Sequence, residues 1–110
     1  MSNLQPLFYN TLKDNYGGWL GDQIVPDFAD YARVCFQNFG DRVKFWITIN
    51  EPEVVADQGY GYAAMAPGLK NQQWTARYNT VRAHAKAYDV YKKEFKDIQQ
   101  GRCGITLSSV

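Results

Sequence analysis

The sequence predicts an α/β fold built on parallel strands, and three observations lead to this class. Residues 43–49 and 103–109 are short apolar segments rich in β-branched side chains, each preceded by a helical pattern, and a long connection separates them. A strand, a helix and a second strand in this order form a parallel unit. Parallel sheets need helices on both faces or closure into a barrel, so two strands indicate a segment of something larger.

Composition and charge exclude several classes of protein. The chain has 110 residues, 45% hydrophobic and 21% charged, which is ordinary for a single globular domain. Its 12 basic and 11 acidic residues are interspersed, so we expect no nucleic-acid partner. No apolar stretch is long enough to span a membrane, and no signal peptide is visible, which leaves the compartment open. Cys35 and Cys103 show neither metal-site nor disulfide spacing.

The first element is an amphipathic helix predicted over residues 26–39. Pro26 suits the first helical position, and Gly40 ends the pattern as a C-terminal cap. The apolar positions recur at helical spacing and predict one buried face. They are Phe28, Ala32, Cys35, Phe36 and Phe39.

The second element is a buried parallel strand over residues 43–49, because this run is apolar without strict alternation. It ends at Asn50, Glu51 and Pro52, since proline cannot continue a central ladder and keeps the preceding residue out of the helical region. Glu51 thus lies at the carboxyl end of a parallel strand, where α/β enzymes place functional groups. Capping of the strand and solvation of a loop would explain the same position.

Residues 53–73 are predicted to form a long loop, punctuated by Gly59, Gly61 and Pro67. Because such loops are often functional, Tyr60, Tyr62 and Met65 are candidates for a substrate entrance as much as for packing. A longer helix follows and ends at Gly101, before the strand at 103–109. Its apolar stripe alternates steps of three and four. The stripe comprises Trp74, Tyr78, Val81, Ala85, Tyr88, Tyr91, Phe95 and Ile98.

The motif Thr48-Ile49-Asn50-Glu51-Pro52, after residues 39–47, resembles the strand that carries the acid/base glutamate in family 1 glycoside hydrolases, the β-glucosidase-like enzymes. The resemblance covers residues 10–109 and implies a fragment, residues 1–110, of one (β/α)8 TIM barrel domain. About two strands and two main helices from the first half of the barrel would be present. Supporting blocks are Tyr16-Gly17-Gly18-Trp19, Asp27-Phe28-Ala29-Asp30-Tyr31-Ala32, Gly59-Tyr60-Gly61, Ala66-Pro67-Gly68, Ala83-His84-Ala85-Lys86-Ala87 and Gly104-Ile105.

The resemblance implies retaining hydrolysis of β-glycosides, in which two carboxyl groups about 5 Å apart flank the scissile bond. Glu51 would be the acid/base, protonating the leaving group and then deprotonating the attacking water. Asn50 would bind the 2-hydroxyl of the sugar, and neither a metal nor an organic cofactor is implied. His84, the one histidine, is expected to pack or hydrogen-bond. Trp19, Trp46 and Trp74 are expected in the core, with stacking on sugar rings as the alternative.

Three departures from the family pattern limit this function. The nucleophile of the family is a second glutamate far downstream, and neither Glu53 nor Glu94 can replace it. The family's sugar-binding His-Trp-Asp run is absent, since residues 5–9 read Gln-Pro-Leu-Phe-Tyr. Glu53 also stands where many members have an aromatic residue. We therefore expect a chain inactive by itself.

Two other functions remain as alternatives. The first is a truncated, glycosidase-derived protein without catalysis that binds or assembles, with self-association through its open strand edges. The second is an unrelated small α/β binding domain, which is disfavoured because no glycine-rich phosphate loop follows either predicted strand.

Overall fold

The computed structural model describes residues 2–3, 18–62 and 70–107. The strands are β1 (Ser2–Asn3), β2 (Phe45–Asn50) and β3 (Arg102–Thr106). The α-helices are α1 (Ile24–Phe39), α2 (Pro52–Tyr60), α3 (Gln73–Val90) and α4 (Lys96–Gln99). A 3-10 turn at Gly18–Leu20 precedes α1, and a π-helical turn at Tyr91–Phe95 joins α3 to α4.

The described strands form one parallel sheet in the order β1-β2-β3. This confirms the two parallel strands predicted from the sequence, with β2 shifted to Phe45–Asn50. β1 was missed, because two residues carry no readable alternation. Residues 108–109 of the second predicted strand lie outside the described part.

Helices α1 and α3 pack together over the sheet and enclose the core. Phe36 of α1 lies at its centre, with ring centroids 5.2 Å from Trp46 of β2 and 4.9 Å from Tyr91. The predicted first helix is confirmed, although it begins at Ile24, so that Pro26 is its third residue. Gly40 follows it and donates its backbone N–H to the carbonyl of Phe36.

The loop predicted after Glu51 is wrong in its first part, because residues Pro52–Tyr60 form α2. Pro52 ends the strand as expected, yet it also occupies the first turn of a helix, where its missing N–H costs nothing. Glycine punctuation concealed this short helix, since Gly59 lies within it. Met65 falls in residues 63–69, outside the described part of the chain.

The second helix is confirmed in place, and its apolar stripe is buried only in its last part. Tyr91 is 1% exposed and Phe95 packs against the core, whereas Trp74, Tyr78 and Val81 face outward and are 69%, 64% and 58% exposed. The buried face instead carries small and polar side chains, because α3 lies close against α1 and the sheet, where bulk would clash. The buried residues of α3 are Ala76, Asn79, Thr80, Ala83, Ala87 and Val90. Within the described residues no helix is long and apolar enough to cross a membrane.

Candidate active site

Asn50 and Glu51 lie where β2 gives way to α2. Asn50 is the last residue of the strand, and Glu51 adopts the left-handed conformation with φ 48° and ψ 63°. A residue with a β-carbon in this region costs roughly 1–2 kcal/mol. This single residue turns the chain from strand to helix, and such local strain is concentrated at functional sites.

Glu51 also begins α2 through its backbone. Its carbonyl accepts hydrogen bonds from the N–H groups of Val54 at 3.0 Å and Val55 at 3.2 Å. Within the described helix, the carboxylate of Glu51 makes no capping hydrogen bond. The side chain is half-buried. The backbone of Glu51 is therefore fixed by hydrogen bonds, while its carboxylate takes no part in capping α2.

Thr106, the last residue of β3, contacts both members of the Asn50–Glu51 pair. Its hydroxyl donates to Oδ1 of Asn50 at 2.7 Å, and its carbonyl accepts the N–H of Glu51 at 2.9 Å. The carboxyl ends of neighbouring parallel strands meet at one edge of a sheet, which brings these residues together. Thr106 was not predicted from the sequence, because it lies in the middle of the predicted strand 103–109, whereas the observed strand ends there.

A buried polar contact lies beneath this edge. Thr48 of β2 is fully buried, and its Oγ1 lies 2.6 Å from Nδ1 of His84 on α3 and 3.3 Å from the carbonyl oxygen of Gly104. Burial lowers the pKa of His84. The expected hydrogen-bonding role of His84 is confirmed, and it joins the strand that carries Glu51 to the helix behind it.

The two tyrosines expected at a substrate entrance occupy different environments. Tyr60 is fully buried, and its hydroxyl accepts the backbone N–H of Trp19 at 3.3 Å. We correct its assignment accordingly, because a core side chain has no surface to offer a substrate. Tyr62 is 67% exposed and forms an isolated bridge with Lys70, so its place at an entrance stays a prediction.

The three tryptophans divide in the same way. Trp19 is fully buried and Trp46 is 4% exposed, which confirms the core positions predicted for both. Trp74 is exposed, with the guanidinium of Arg77 4.9 Å from its ring centroid, so its predicted core position is wrong. Of the three tryptophans, Trp74 is the one whose ring is accessible in the described structure.

An ion pair that was not predicted from the sequence anchors α2. Arg77 of α3 donates through Nε to Oδ1 of Asp57 at 2.9 Å and through Nη2 to Oδ2. This two-pronged geometry is specific to arginine and carboxylate. Since the partners are twenty residues apart on separate helices, no local spacing in the sequence could reveal the pair.

The other acidic group weighed as a catalytic partner lies elsewhere. Glu94 accepts hydrogen bonds from Arg33 of α1, at 3.1 Å from Nε and 3.1 Å from Nη2. It belongs to the π-helical turn that α4 connects to the start of β3, on the amino-end side of the sheet, whereas Glu51 follows the carboxyl end of β2. The fold therefore separates Glu94 from Glu51.

The described residues contain no group of three histidine, cysteine or acidic side chains placed to hold a metal ion. Cys35 and Cys103 are free thiols. Burial raises the pKa of the Cys103 thiol to about 12, and also raises that of Cys35. Neither thiol is a reactive thiolate near neutral pH.

Comparison with known proteins gives one consistent family. The family described as glycosyl hydrolase family 1 matches residues 8–110. Human lactase/phlorizin hydrolase is 50% identical over 103 residues, covering 90% of this chain and 5% of that protein. β-Glucosidase 12 of Arabidopsis thaliana is 45% identical over 113 residues, covering 90% of this chain and 22% of the relative.

Solved structures agree with these relatives. The crystal structure of a rice β-glucosidase superposes with a TM-score of 0.87 at 40% identity, covering 92% of this chain and 24% of that one. A glutamate-to-glutamine mutant of the same rice enzyme, in a covalent complex with glucose, gives the same TM-score. The chain thus spans about a quarter or less of the proteins to which it is similar.

Proposed function

This chain belongs to glycosyl hydrolase family 1, and on that premise we propose that Asn50 and Glu51 form the acid/base half of a retaining β-glycosidase site. Residues 1–110 would be one part, from the first half, of a (β/α)8 barrel domain that hydrolyses O-glycosidic bonds. The observation that supports this most is Glu51 itself, a strained residue at the carboxyl end of a parallel strand.

In the proposed reaction Glu51 acts twice. Protonated, it donates its proton to the glycosidic oxygen as the bond to the leaving group breaks and the sugar becomes covalently bound to a nucleophilic carboxylate. Ionised, it then takes a proton from the water that releases the sugar. Asn50 binds the 2-hydroxyl, a contact that strengthens in the transition state. Tyr62, exposed beyond the end of α2, stays a candidate for the entrance.

The nucleophilic carboxylate in this proposal comes from another part of the barrel. The sequence holds two further glutamates, Glu53 and Glu94. Glu53 lies two residues beyond Glu51, in the first turn of α2, and Glu94 is held by Arg33 near the opposite end of the sheet. Neither carboxylate can face that of Glu51 across the glycosidic bond at the separation of about 5 Å that a retaining mechanism requires.

The mutant rice enzyme supports the chemistry. A covalent complex with glucose is the species that a retaining mechanism passes through. A glutamine in place of an acid/base glutamate would slow the water-driven step that releases the sugar. Transferred to this chain, the same reasoning identifies Glu51→Gln as the informative substitution.

The test places this segment in a complete barrel. Residues 8–110 replace the matching segment of the rice β-glucosidase, and hydrolysis is measured with two aryl β-glucosides, one with a poor and one with a good leaving group. Glu51→Gln should lower turnover of the poor leaving group by about 100-fold to 10,000-fold, the usual size of acid/base assistance. The good leaving group is 2,4-dinitrophenolate, which departs without a proton. The bond-breaking step of that substrate should be slowed far less.

Glu94→Gln is the matched control, since it makes the same chemical change at the opposite end of the sheet and should leave both rates unchanged. With the good leaving group, added azide should restore turnover to Glu51→Gln and give β-glucosyl azide, because azide attacks the accumulated glycosyl-enzyme without a general base. Equal losses with both leaving groups, without azide rescue, would overturn the acid/base role.

One observation favours a second function, a non-catalytic piece that assembles with a partner. The outward face of α3 carries Trp74, Tyr78 and Val81, and β3 is an edge strand in the described sheet. The assay that separates the two functions uses the 110-residue chain by itself. We expect no turnover of an aryl β-glucoside; activity abolished by Glu51→Gln would mean that a second chain supplies the missing groups.

A further inference from the structure

We propose that Thr106 is a positioning residue for the proposed sugar contact: its hydroxyl holds the Asn50 amide in place at the end of β2. This inference rests on the proposed function. Thr106 Oγ1 donates to Oδ1 of Asn50 at 2.7 Å. The carbonyl end of the amide is therefore turned toward β3, and the NH2 end, its donor end, is turned the other way.

Holding the amide matters because the Asn50 side chain otherwise rotates about two single bonds. A side chain already fixed in its binding rotamer gives up less conformational entropy when the sugar binds. The Thr106 hydroxyl restricts that rotation from the end of the adjacent strand.

A shift in strand register creates this contact. Phe45, Trp46 and Ile47 pair with Arg102, Cys103 and Gly104, a constant separation of 57 positions (102 − 45). Asn50 pairs with Thr106, a separation of 56 (106 − 50), so one residue is gained between Ile47 and Asn50. Without the shift, Asn50 would lie opposite Leu107, whose side chain cannot donate. Irregular pairing of this kind re-aims side chains next to active sites.

Thr106 also holds the acid/base residue, through its backbone. Its carbonyl accepts the N–H of Glu51 at 2.9 Å, a contact that no side-chain substitution removes. The two contacts can therefore be separated: a change at the hydroxyl acts on Asn50 and leaves the anchor of Glu51 in place. Thr106→Val keeps the shape of the side chain and its β-branching, whereas Thr106→Ser keeps the hydroxyl.

The experiment uses the same complete barrel, with an aryl β-glucoside and its 2-deoxy analogue as the substrates. Thr106→Val should lower kcat/KM for the glucoside by about 3-fold to 10-fold, the cost of one neutral hydrogen bond. Its effect on the 2-deoxy substrate should stay within about twofold, because the sugar then lacks the group that Asn50 binds. Thr106→Ser should retain most of the activity.

Combination with Asn50→Ala makes the test specific. If Thr106 acts through Asn50, Thr106→Val adds nothing further in the Asn50→Ala background. Equal losses for both substrates, or additive losses in the double variant, would overturn the inference. Glu51→Gln tests the proposed function separately. If Glu51→Gln has no effect, the proposed function is wrong; if only Thr106→Val has no effect, the positioning role of Thr106 is wrong.

Crystal structures of the parent barrel and of Thr106→Val test the same contact independently of activity. We expect the Asn50 amide within hydrogen-bonding distance of the Thr106 hydroxyl in the parent, and a changed Asn50 rotamer in the valine variant. An unchanged Asn50 rotamer in both structures would overturn the positioning role.

Discussion

The hydroxyl of Thr48 lies 2.6 Å from Nδ1 of His84, inside the layer between β2 and α3. The strand that carries Glu51 is thus bound to its covering helix by a polar contact as well as by apolar packing. Thr48 Oγ1 also donates to the carbonyl of Gly104 on β3, so one hydroxyl joins two strands and a helix. A charged imidazole in this place would be only partly hydrated, which disfavours the charged form.

The first prediction concerns acid stability. Burial lowers the pKa of His84 from its ordinary value of 6.5, so the folded state binds this proton less tightly than the unfolded state. As the pH falls below about 6.5 the unfolded state gains protons, and the free energy of unfolding should decrease by at most about 1.4 kcal/mol per pH unit. Urea unfolding between pH 5 and 8 measures this slope.

His84→Gln is the control for this prediction, because it keeps a hydrogen-bonding side chain that does not titrate. His84 is the one histidine of the chain, so its imidazole signal in a nuclear magnetic resonance titration is assigned without ambiguity. A slope between pH 5 and 7 that persists in His84→Gln would show that other groups cause it.

The second prediction concerns two glycines near β3. A β-carbon at Gly101 would lie 2.2 Å from the hydroxyl oxygen of Tyr91 and 2.8 Å from the carbonyl oxygen of Lys44, and the second neighbour is backbone. Gly101→Ala should therefore destabilise the fold by about 1–3 kcal/mol, as overpacking does. The helix was expected to end at Gly101, but the residue with the positive φ, 57°, is Gln100. The close approach of Tyr91 and Lys44 is therefore the reason for glycine at position 101.

Gly104→Ala is the matched control, three residues along the same segment. Among the described residues, no atom beyond the chain neighbours of Gly104 lies within 4 Å of a β-carbon built there, so alanine should be neutral, or stabilising by up to about 1 kcal/mol. Urea midpoints of the two variants decide the matter. Equal destabilisation of both would show that the backbone, and not the contact with Tyr91 and Lys44, requires glycine.

The third prediction concerns the outward face of α3. Tyr78 and Val81 are 64% and 58% exposed, and adjacent exposed apolar side chains favour association. The double change Tyr78→Ser with Val81→Ser should reduce self-association of the 110-residue chain in sedimentation velocity measured across a concentration series. Val34→Ser, at a similarly exposed position on α1, should leave it unchanged.

A concentration-independent monomer in the parent chain would contradict this prediction. Association that persists in the double variant would locate the contact elsewhere, with the edge strand β3 as the next surface to test.

The sequence predicted those features that depend on local pattern. The helix containing Phe28 and Phe36 was found because its apolar spacing matches the face that is buried. Glu51 was found because a strand followed by proline must end there. The stripe through Trp74 and Tyr78 was placed on the wrong side of α3, because periodicity locates a stripe without telling which side the rest of the fold covers.

Features that depend on pairing between distant segments could not be predicted. The one-residue shift that sets Asn50 opposite Thr106 has no local signature, since register is decided by the partner strand. The pair between Asp57 and Arg77 likewise requires knowledge of how α2 lies on α3. Helix α2 itself was concealed because proline at a strand end and proline at a helix start look alike in sequence.

The left-handed backbone conformation of Glu51 lowers the stability of the fold at the position where the proposed function needs a carboxyl group. Glycine there would relieve roughly 1–2 kcal/mol of strain, partly offset by the roughly 0.5–1 kcal/mol that glycine loses in backbone entropy. The net gain from glycine would therefore be at most about 1.5 kcal/mol (2 − 0.5). Under the proposed function, this is the stability that the fold gives up to place a carboxyl group at the end of β2.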